Sequence, residues 1–179
     1  QGEGVCEGTG AGLGAKFGGT EWRQRTFVVQ GLGAVGALAA RRILAMGAEV
    51  IGADIDEDLA QEIGAGLGIR TVEAATALDV RCDVFSPNAV GGLLHDLSLS
   101  RLRCQIIAGA ANNQLARALV GDELFDVGIL FVPDFVIRSG ALVRGTVFDR
   151  GGRREPSRRS DCGAARRPRR SWRRPRPRA

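Results

Sequence analysis

The sequence predicts an α/β fold with a doubly wound, mainly parallel β-sheet and helices on both faces. Short, continuous apolar runs recur between residues 26 and 132, and such runs are typical of parallel strands that are covered on both faces. Amphipathic stretches lie between the runs, and strands that alternate with helices indicate an open parallel sheet. The expected strands are residues 26–30, 49–53, 82–85, 105–108 and 128–132.

The first two helices have recognisable ends. Residues 34–46 place apolar side chains at helical spacing, and Gly47 follows where a helix would end. Asp56 is expected to cap a second helix over residues 56–67. Glu57 and Asp58 fall in its first turn, where carboxylates suit the positive end of the helix dipole. The first strand, the first helix and the second strand therefore form a βαβ unit.

Composition divides the chain into three stretches. Residues 1–25 are rich in Gly, and each interior Gly costs a helix about 0.8–1 kcal/mol relative to Ala. We expect this segment to be partly helical or disordered unless something packs on it. Residues 26–149 form the α/β domain. Residues 150–179 are rich in Arg and Pro and poor in apolar side chains, so they are predicted to be a disordered tail.

The charge of the chain is concentrated in that tail. The sequence pI near 9.8 would favour a nucleic-acid or membrane binder. However, residues 150–179 hold 13 Arg and two acidic residues, which leaves 12 basic and 18 acidic residues in the rest of the chain. Nucleic-acid binding through the Arg-rich tail is one alternative function. Arg, Pro, Gly and Ala are also what a shifted reading frame yields from GC-rich coding DNA, so we expect a disordered or frameshifted end without a selected function.

Several classes of protein and site are not expected. No apolar run reaches 18 residues, so no transmembrane helix is predicted. No leader is visible, and a cytoplasmic location is the expectation. The four cysteines form no Cys-x-x-Cys pair, and the single histidine, His95, offers no second imidazole, so no metal site is predicted. We expect the cysteines to be reduced thiols, mostly buried.

A glycine-rich turn follows the first strand. Gly31, Gly33 and Gly36 match the spacing Gly-x-Gly-x-x-Gly at a strand-to-helix turn, which is the context in which this pattern binds a dinucleotide in a Rossmann-type fold. Gly31 would allow the tight turn, Gly33 the approach of the diphosphate, and Gly36 the packing of helix against strand. The diphosphate would rest on N–H groups at the helix N-terminus. The predicted loop comprises Gly31, Leu32, Gly33, Ala34, Val35 and Gly36.

An acidic residue follows at the expected distance. Asp54 ends the second strand 18 positions after Gly36, close to the roughly 20 expected for a carboxylate that accepts from ribose hydroxyls. This position favours NAD, and the acids at 56–58 disfavour the additional phosphate of NADP. Ile55 is assigned to the same site. The alternative is that the acids only cap a helix and that Asp54 is a solvated turn residue.

Three longer segments carry a resemblance to a known family. Residues 83–96, 107–115 and 128–137 resemble the coenzyme domain of the glutamate/leucine/phenylalanine/valine dehydrogenase family, most of all its leucine dehydrogenase branch, over about residues 26–140. The resemblance implies oxidative deamination of an L-amino acid to a 2-oxo acid and ammonia, with NAD as hydride acceptor. It also implies that the nicotinamide side of the cofactor is bordered by Pro87, Asn88 and Ala89, and that Ala111 and Asn112 lie near the nicotinamide ribose. From the residues alone, Asn112 or Asn113 could equally cap a helix that starts at Gln114.

The sequence also departs from that family. Arg138 stands where family members have a neutral amide. The family's acid/base Lys and Asp lie in a domain that precedes this point, whereas the chain has one lysine, Lys16, which we expect at the surface. We therefore expect a fragment with no catalytic residue, which binds NAD(H) and meets an amino acid only with the missing domain. Another NAD-dependent Rossmann oxidoreductase, such as a 2-hydroxy-acid dehydrogenase, would need a catalytic His, and His95 in an apparent helix is expected to be a surface residue.

Overall fold

The computed structural model describes residues 2–89, 91–117 and 119–137. Within these residues, six parallel strands form one sheet in the order β3-β2-β1-β4-β5-β6, which confirms the predicted Rossmann-type α/β fold. The strands are β1 (Thr26–Gln30), β2 (Glu49–Asp54), β3 (Arg70–Glu73), β4 (Val84–Pro87), β5 (Ile106–Ala108) and β6 (Leu130–Val132). The helices are α1 (Gly2–Phe17), α2 (Ala34–Ala45), α3 (Glu57–Leu67), α4 (Asp96–Leu99) and α5 (Leu119–Asp126), with a 3₁₀ helix over Ala74–Asp79.

Both faces of the sheet are buried because the strands alternate their side chains between two apolar clusters. Phe27 and Val29 of β1 lie in the cluster that packs against α1, α2 and α3. Val28 lies between them in sequence and belongs to the opposite cluster, with side chains from the 3₁₀ helix, α4 and α5. This two-sided burial explains why the strands are continuous apolar runs rather than alternating ones.

β3, the outermost strand on one side of the sheet, was not among the predicted strands. It pairs with β2 from Arg70 opposite Ile51 to Glu73 opposite Asp54. Its outer residues are exposed and its inner two are half-buried. A short, polar edge strand lacks the apolar run that identified the other strands, and its pairing depends on the neighbouring strand rather than on its own sequence.

Glycines on one face of α1 allow this helix to approach the sheet and the segment after β6. A Cβ built on Gly4 would lie 1.7 Å from the Ile137 carbonyl oxygen, and one on Gly12 would lie 3.2 Å from Val132 Cγ2. Val5 and Leu13 of the same helix are fully buried and belong to the sheet's core cluster. The packing partners that order this Gly-rich segment are therefore the sheet and α2.

The helix ends agree with the sequence in the first half of the chain and differ in the second half. Gly47 has φ +87° just after α2, and the Asp56 side chain accepts a 3.0 Å hydrogen bond from the Leu59 N–H at the start of α3. The predicted helix start at Gln114 is wrong, because residues 112–113 form a turn and α5 begins at Leu119. His95 is not inside a helix either, since it is the residue that precedes α4.

Two absences hold for the described part of the chain. None of its helices is both long enough and apolar enough to cross a membrane. No three His, Cys, Asp or Glu side chains among the described residues gather as a metal site would require.

Candidate functional site

The sheet reverses its strand order between β1 and β4, and this position creates a crevice at their carboxyl ends. β1 is followed along the chain by β2 on one side, while β4 lies on its other side. Loops that leave two neighbouring strands in opposite directions open a gap between them, and ligands of open α/β sheets bind in this gap. The Gly-rich turn after β1 and the segment after β4 both begin there.

Gly31 and Gly36 shape the turn through steric demands that only glycine meets. Gly31 has φ +86°, a left-handed conformation that costs other residues strain. Its N–H donates to the Ala53 carbonyl at 2.7 Å, which joins the turn to the end of β2. A Cβ on Gly36 would lie 1.7 Å from the Gly31 carbonyl oxygen. The first turn of α2 therefore lies directly against the end of β1.

Gly33 is the exposed one of the three glycines in the turn. A Cβ built on Gly33 would meet no atom of the described residues within 4 Å, and its φ of −59° imposes no requirement for glycine. The space beside Gly33, on the outside of the turn, is therefore open among the described residues. Gly33 is the N-cap of α2, and no side chain caps the helix there. The first intrahelical bond runs from the Ala37 N–H to the Gly33 carbonyl, so the N–H groups of Ala34, Val35 and Gly36 have no partner within the helix.

Asp54 turns its carboxylate toward the Gly-rich turn. Its Oδ2 accepts from the Leu32 N–H at 2.5 Å, and its Oδ1 accepts from the Asp56 N–H at 3.0 Å. The residue is half-buried. A carboxylate has about four acceptor positions, so two backbone donors leave capacity for a hydroxyl donor from solvent or from a ligand. Asp54 is therefore held beside the turn and is not simply a solvated turn residue.

Ile55 follows Asp54 and is left in solvent. Its side chain is 91% exposed, although it lies directly after a buried strand. The three acids that come next, Asp56, Glu57 and Asp58, are also exposed. The rim of the crevice at the end of β2 therefore combines one exposed apolar side chain with a concentration of negative charge.

The segment after β4 forms the other wall of the crevice. A Cβ on Gly31 would lie 2.7 Å from the Ala89 Cβ, so the two walls touch at their base. The Asn88 N–H donates to the Gln30 carbonyl at 2.7 Å. The Asn88 side chain donates to Ser86 O at 2.9 Å and to Ser86 Oγ at 3.0 Å. Its amide nitrogen is therefore already engaged within the protein.

The turn after β5 is hydrogen-bonded to this wall. The Ala110 N–H donates to Asn88 Oδ1 at 3.0 Å, and the Ala111 N–H donates to the Pro87 carbonyl at 3.0 Å. Ala111 is buried, whereas Asn112 is exposed. Asn113 has φ +47°, which asparagine tolerates better than most residues. Asn113 thus serves the turn, as the residues alone had allowed, but it caps no helix at Gln114.

The structure brings the predicted residues together at the carboxyl ends of the strands. The loop 31–36, Asp54, Ile55 and the segments 87–89 and 111–112 all follow the carboxyl ends of β1, β2, β4 or β5. Arg138 and the Arg-rich tail lie outside the described residues. Lys16 is exposed at the end of α1, where its Nζ donates to the Gly128 carbonyl at 2.5 Å.

Two residues at this end of the sheet escaped the sequence analysis. A Cβ on Gly109 would lie 2.0 Å from the Pro87 carbonyl oxygen, so this glycine permits the contact between the turn after β5 and the end of β4. A glycine directly after a strand could have suggested it. Gln114 is buried and bonds back to Gly109, which no local pattern indicates.

Two buried thiols with strongly raised pKa values, Cys82 and Cys104, lie near the amino ends of the strands, on the side of the sheet opposite the crevice. Burial raises the pKa of the Cys104 thiol to about 12. Burial also raises the pKa of Cys82, and the neighbouring Cys104 adds to this effect. Both cysteines are free, and their raised pKa values keep the thiols neutral at pH 7. They precede the amino ends of β4 and β5, whereas the crevice lies at the carboxyl ends of the strands.

Comparison with known proteins gives a consistent group of relatives, although no family model matches the chain. The chain is 34% identical to a leucine dehydrogenase of Bacillus subtilis over 140 residues, which are 78% of this chain and 38% of that protein. It is 33% identical to a valine dehydrogenase of Streptomyces albus over 156 residues, which are 82% of this chain and 43% of that protein. The crystal structure of an L-tryptophan dehydrogenase from Nostoc punctiforme superimposes with a TM-score of 0.81 at 32% identity, covering 85% of this chain and 47% of the other. The chain thus spans less than half the length of the relatives that it matches.

Proposed function

We propose that this chain, which belongs to the glutamate/leucine/phenylalanine/valine dehydrogenase family, holds the NAD(H)-binding site of an amino-acid dehydrogenase. The observation that carries the proposal is the open space at Gly33 over the N-terminus of α2, with Asp54 fixed beside it. On either side of that opening, Gly31 and Gly36 leave no room for a Cβ. Of the three glycines, Gly33 is thus the one with open space beside it, and this is where the diphosphate would lie.

The diphosphate of the cofactor fits the start of α2. The N–H groups of residues 34–36 have no partner within the helix, and the helix dipole places partial positive charge at this end. No acidic side chain lies in the first turn of α2, so nothing there competes with an anion. A diphosphate that approaches Gly33 would satisfy these donors.

Asp54 and its neighbours would select NAD over NADP. The carboxylate would accept from the hydroxyls of the adenosine ribose. An additional phosphate on that ribose would meet Asp54 together with the exposed acids at 56–58, and like charges at such short range repel. The exposed Ile55 offers an apolar surface on which the adenine ring could lie.

The nicotinamide half would lie toward the ends of β4 and β5. There Pro87, Asn88 and Ala89 form one wall, and Ala111 with Asn112 forms the adjoining turn. When bound, the nicotinamide supplies a hydride acceptor. The residues of this chain hold and orient it, whereas the amino-acid site and the acid/base groups would come from polypeptide outside the matched region. For the complete enzyme we propose oxidative deamination of an L-amino acid of the leucine type to a 2-oxo acid and ammonia.

A leucine side chain placed at Gly33 tests the cofactor site without breaking the fold. The backbone at Gly33 accepts a side chain, and no described residue lies within 4 Å of the new Cβ. Gly33→Leu should therefore retain the thermal stability of the natural chain within a few degrees, while the new side chain occupies the position proposed for the diphosphate. We expect titration calorimetry to show NADH binding in the micromolar to millimolar range for the natural chain, and a loss of affinity of at least about tenfold for the variant.

Gly66→Leu is the matched control. A Cβ on Gly66 also meets nothing within 4 Å, and Gly66 lies in α3 rather than in the turn. This variant should bind NADH like the natural chain. A folded natural chain that does not bind NADH would overturn the proposal, and so would a Gly33→Leu variant that binds NADH as well as the control does.

A further inference from the structure

Gln114 carries a buried amide beside the crevice, next to the turn that follows β5. Its side chain is 1% exposed. The Nε2 donates to the Gly109 carbonyl at 2.6 Å, a bond that closes the turn between β5 and Gln114. The Oε1 is buried and has no hydrogen-bond partner among the described residues. A buried amide with one end unsatisfied carries a free-energy cost, so its presence calls for a reason other than stability alone.

The turn that Gln114 closes is also held from outside by the wall of the crevice. The Ala110 N–H donates to Asn88 Oδ1, and the Ala111 N–H donates to the Pro87 carbonyl. Asn88 thus holds the turn from the β4 side and Gln114 holds it from within. Two side-chain amides therefore fix the backbone at residues 109–111.

We infer that Gln114 is a positioning residue that fixes the turn 109–112 for the nicotinamide half of the cofactor. This inference rests on the proposed NAD(H) site. Gln114 would act through the backbone of the turn rather than by contact with the cofactor. Without its bond to Gly109, the turn would keep its bonds to Pro87 and Asn88 and the bond from the Gly92 N–H to the Asn113 carbonyl, but it would lose the bond that closes it from within. Part of the binding free energy would then be spent on ordering residues 109–111.

The inference predicts an effect confined to one half of the cofactor. ADP shares the adenosine and the diphosphate with NADH but lacks the nicotinamide and its ribose. The adenosine half would lie on the Gly-rich turn and Asp54, whereas the Gln114 side chain bonds to Gly109 in the turn after β5. A purely structural role for Gln114 would instead lower the affinity for both ligands together.

The test compares Gln114→Met with the natural chain for both ligands. Methionine has a similar length and shape but cannot donate to Gly109. It also removes the unsatisfied Oε1, so the loss and the gain in stability partly offset each other. We expect NADH affinity to fall about five- to tenfold, as for the loss of one hydrogen bond, and ADP affinity to stay within about twofold. Gln105→Met, at an exposed position just before β5, should leave both affinities unchanged.

The outcomes separate the two proposals. If the natural chain binds NADH and Gln114→Met binds it equally well, or loses ADP affinity to the same extent, the role of Gln114 is refuted while the cofactor site stands. If the folded natural chain binds neither NADH nor ADP, the proposed function fails and the inference fails with it. A selective loss of NADH affinity supports both.

Discussion

Gly36→Ala should destabilise the fold even though alanine is the better helix former. The new Cβ would lie 1.7 Å from the Gly31 carbonyl oxygen and 2.9 Å from its carbonyl carbon, whereas ordinary contact begins near 3.4 Å. Both partners are backbone atoms, so no side-chain rotation relieves the overlap. The first turn of α2 would have to move away from β1 by roughly 1.7 Å to restore normal contact.

The magnitude follows from two opposing terms. Overpacking of this kind costs about 1–3 kcal/mol, and the upper end applies because the backbone must move. Replacing a helical glycine by alanine returns about 1 kcal/mol. The expected net loss in the free energy of unfolding is therefore about 2 kcal/mol.

Gly66→Ala provides the matched comparison within another helix. The Cβ of this variant meets nothing, so only the helix-propensity term remains, and we expect a gain of up to about 1 kcal/mol. Urea denaturation followed by circular dichroism gives the free energy of unfolding of both variants. If its slope with urea concentration is unchanged, the substitution has changed only the stability. A Gly36→Ala variant as stable as Gly66→Ala would refute the close contact between α2 and the end of β1.

Two further predictions concern stability away from the turn. Asp56→Ala removes the side-chain bond to the Leu59 N–H and should cost about 1 kcal/mol in urea denaturation, and an unchanged midpoint would contradict the cap. The buried thiols should make the fold sensitive to alkali, because their folded pKa values lie above the unfolded ones. This stability is complete below the ordinary thiol pKa of 9.0 and is lost as the pH rises toward the folded value of about 12 for Cys104, at up to about 1.4 kcal/mol per pH unit for each thiol. Replacing Cys82 and Cys104 by alanine should remove most of this alkaline slope, and a slope that persists unchanged would assign it to other groups.

The parts of the site that could be predicted from the sequence are those that depend on local chemistry. The turn at 31–36 is constrained by a positive φ and by a backbone contact within six residues, so glycine spacing reports it directly. The apolar residues of β2 identify that strand, and Asp54 was placed at its end. Asp56 was placed by the helix that it caps.

The parts that could not be predicted depend on contacts between distant segments. β3 is a strand because β2 offers it an edge. The order of α1 depends on β5, β6 and the segment after β6, against which its glycines pack. Gln114 matters through its bond to Gly109, and a buried side chain between a turn and a helix has no signature of its own. The same dependence explains the wrong helix start at Gln114, since turn residues there resemble a helix cap.

An NMR titration of the isotope-labelled natural chain with NADH tests the central claim most directly. The proposal predicts that the backbone amides of residues 33–36, 54–55 and 111–112 shift together and saturate with one dissociation constant. Amides near the amino ends of the strands, such as those of Arg81 and Gln105, should show no change in chemical shift. Shifts confined to other surfaces, or no shift at saturating NADH in a folded sample, would contradict a dinucleotide site between β1 and β4.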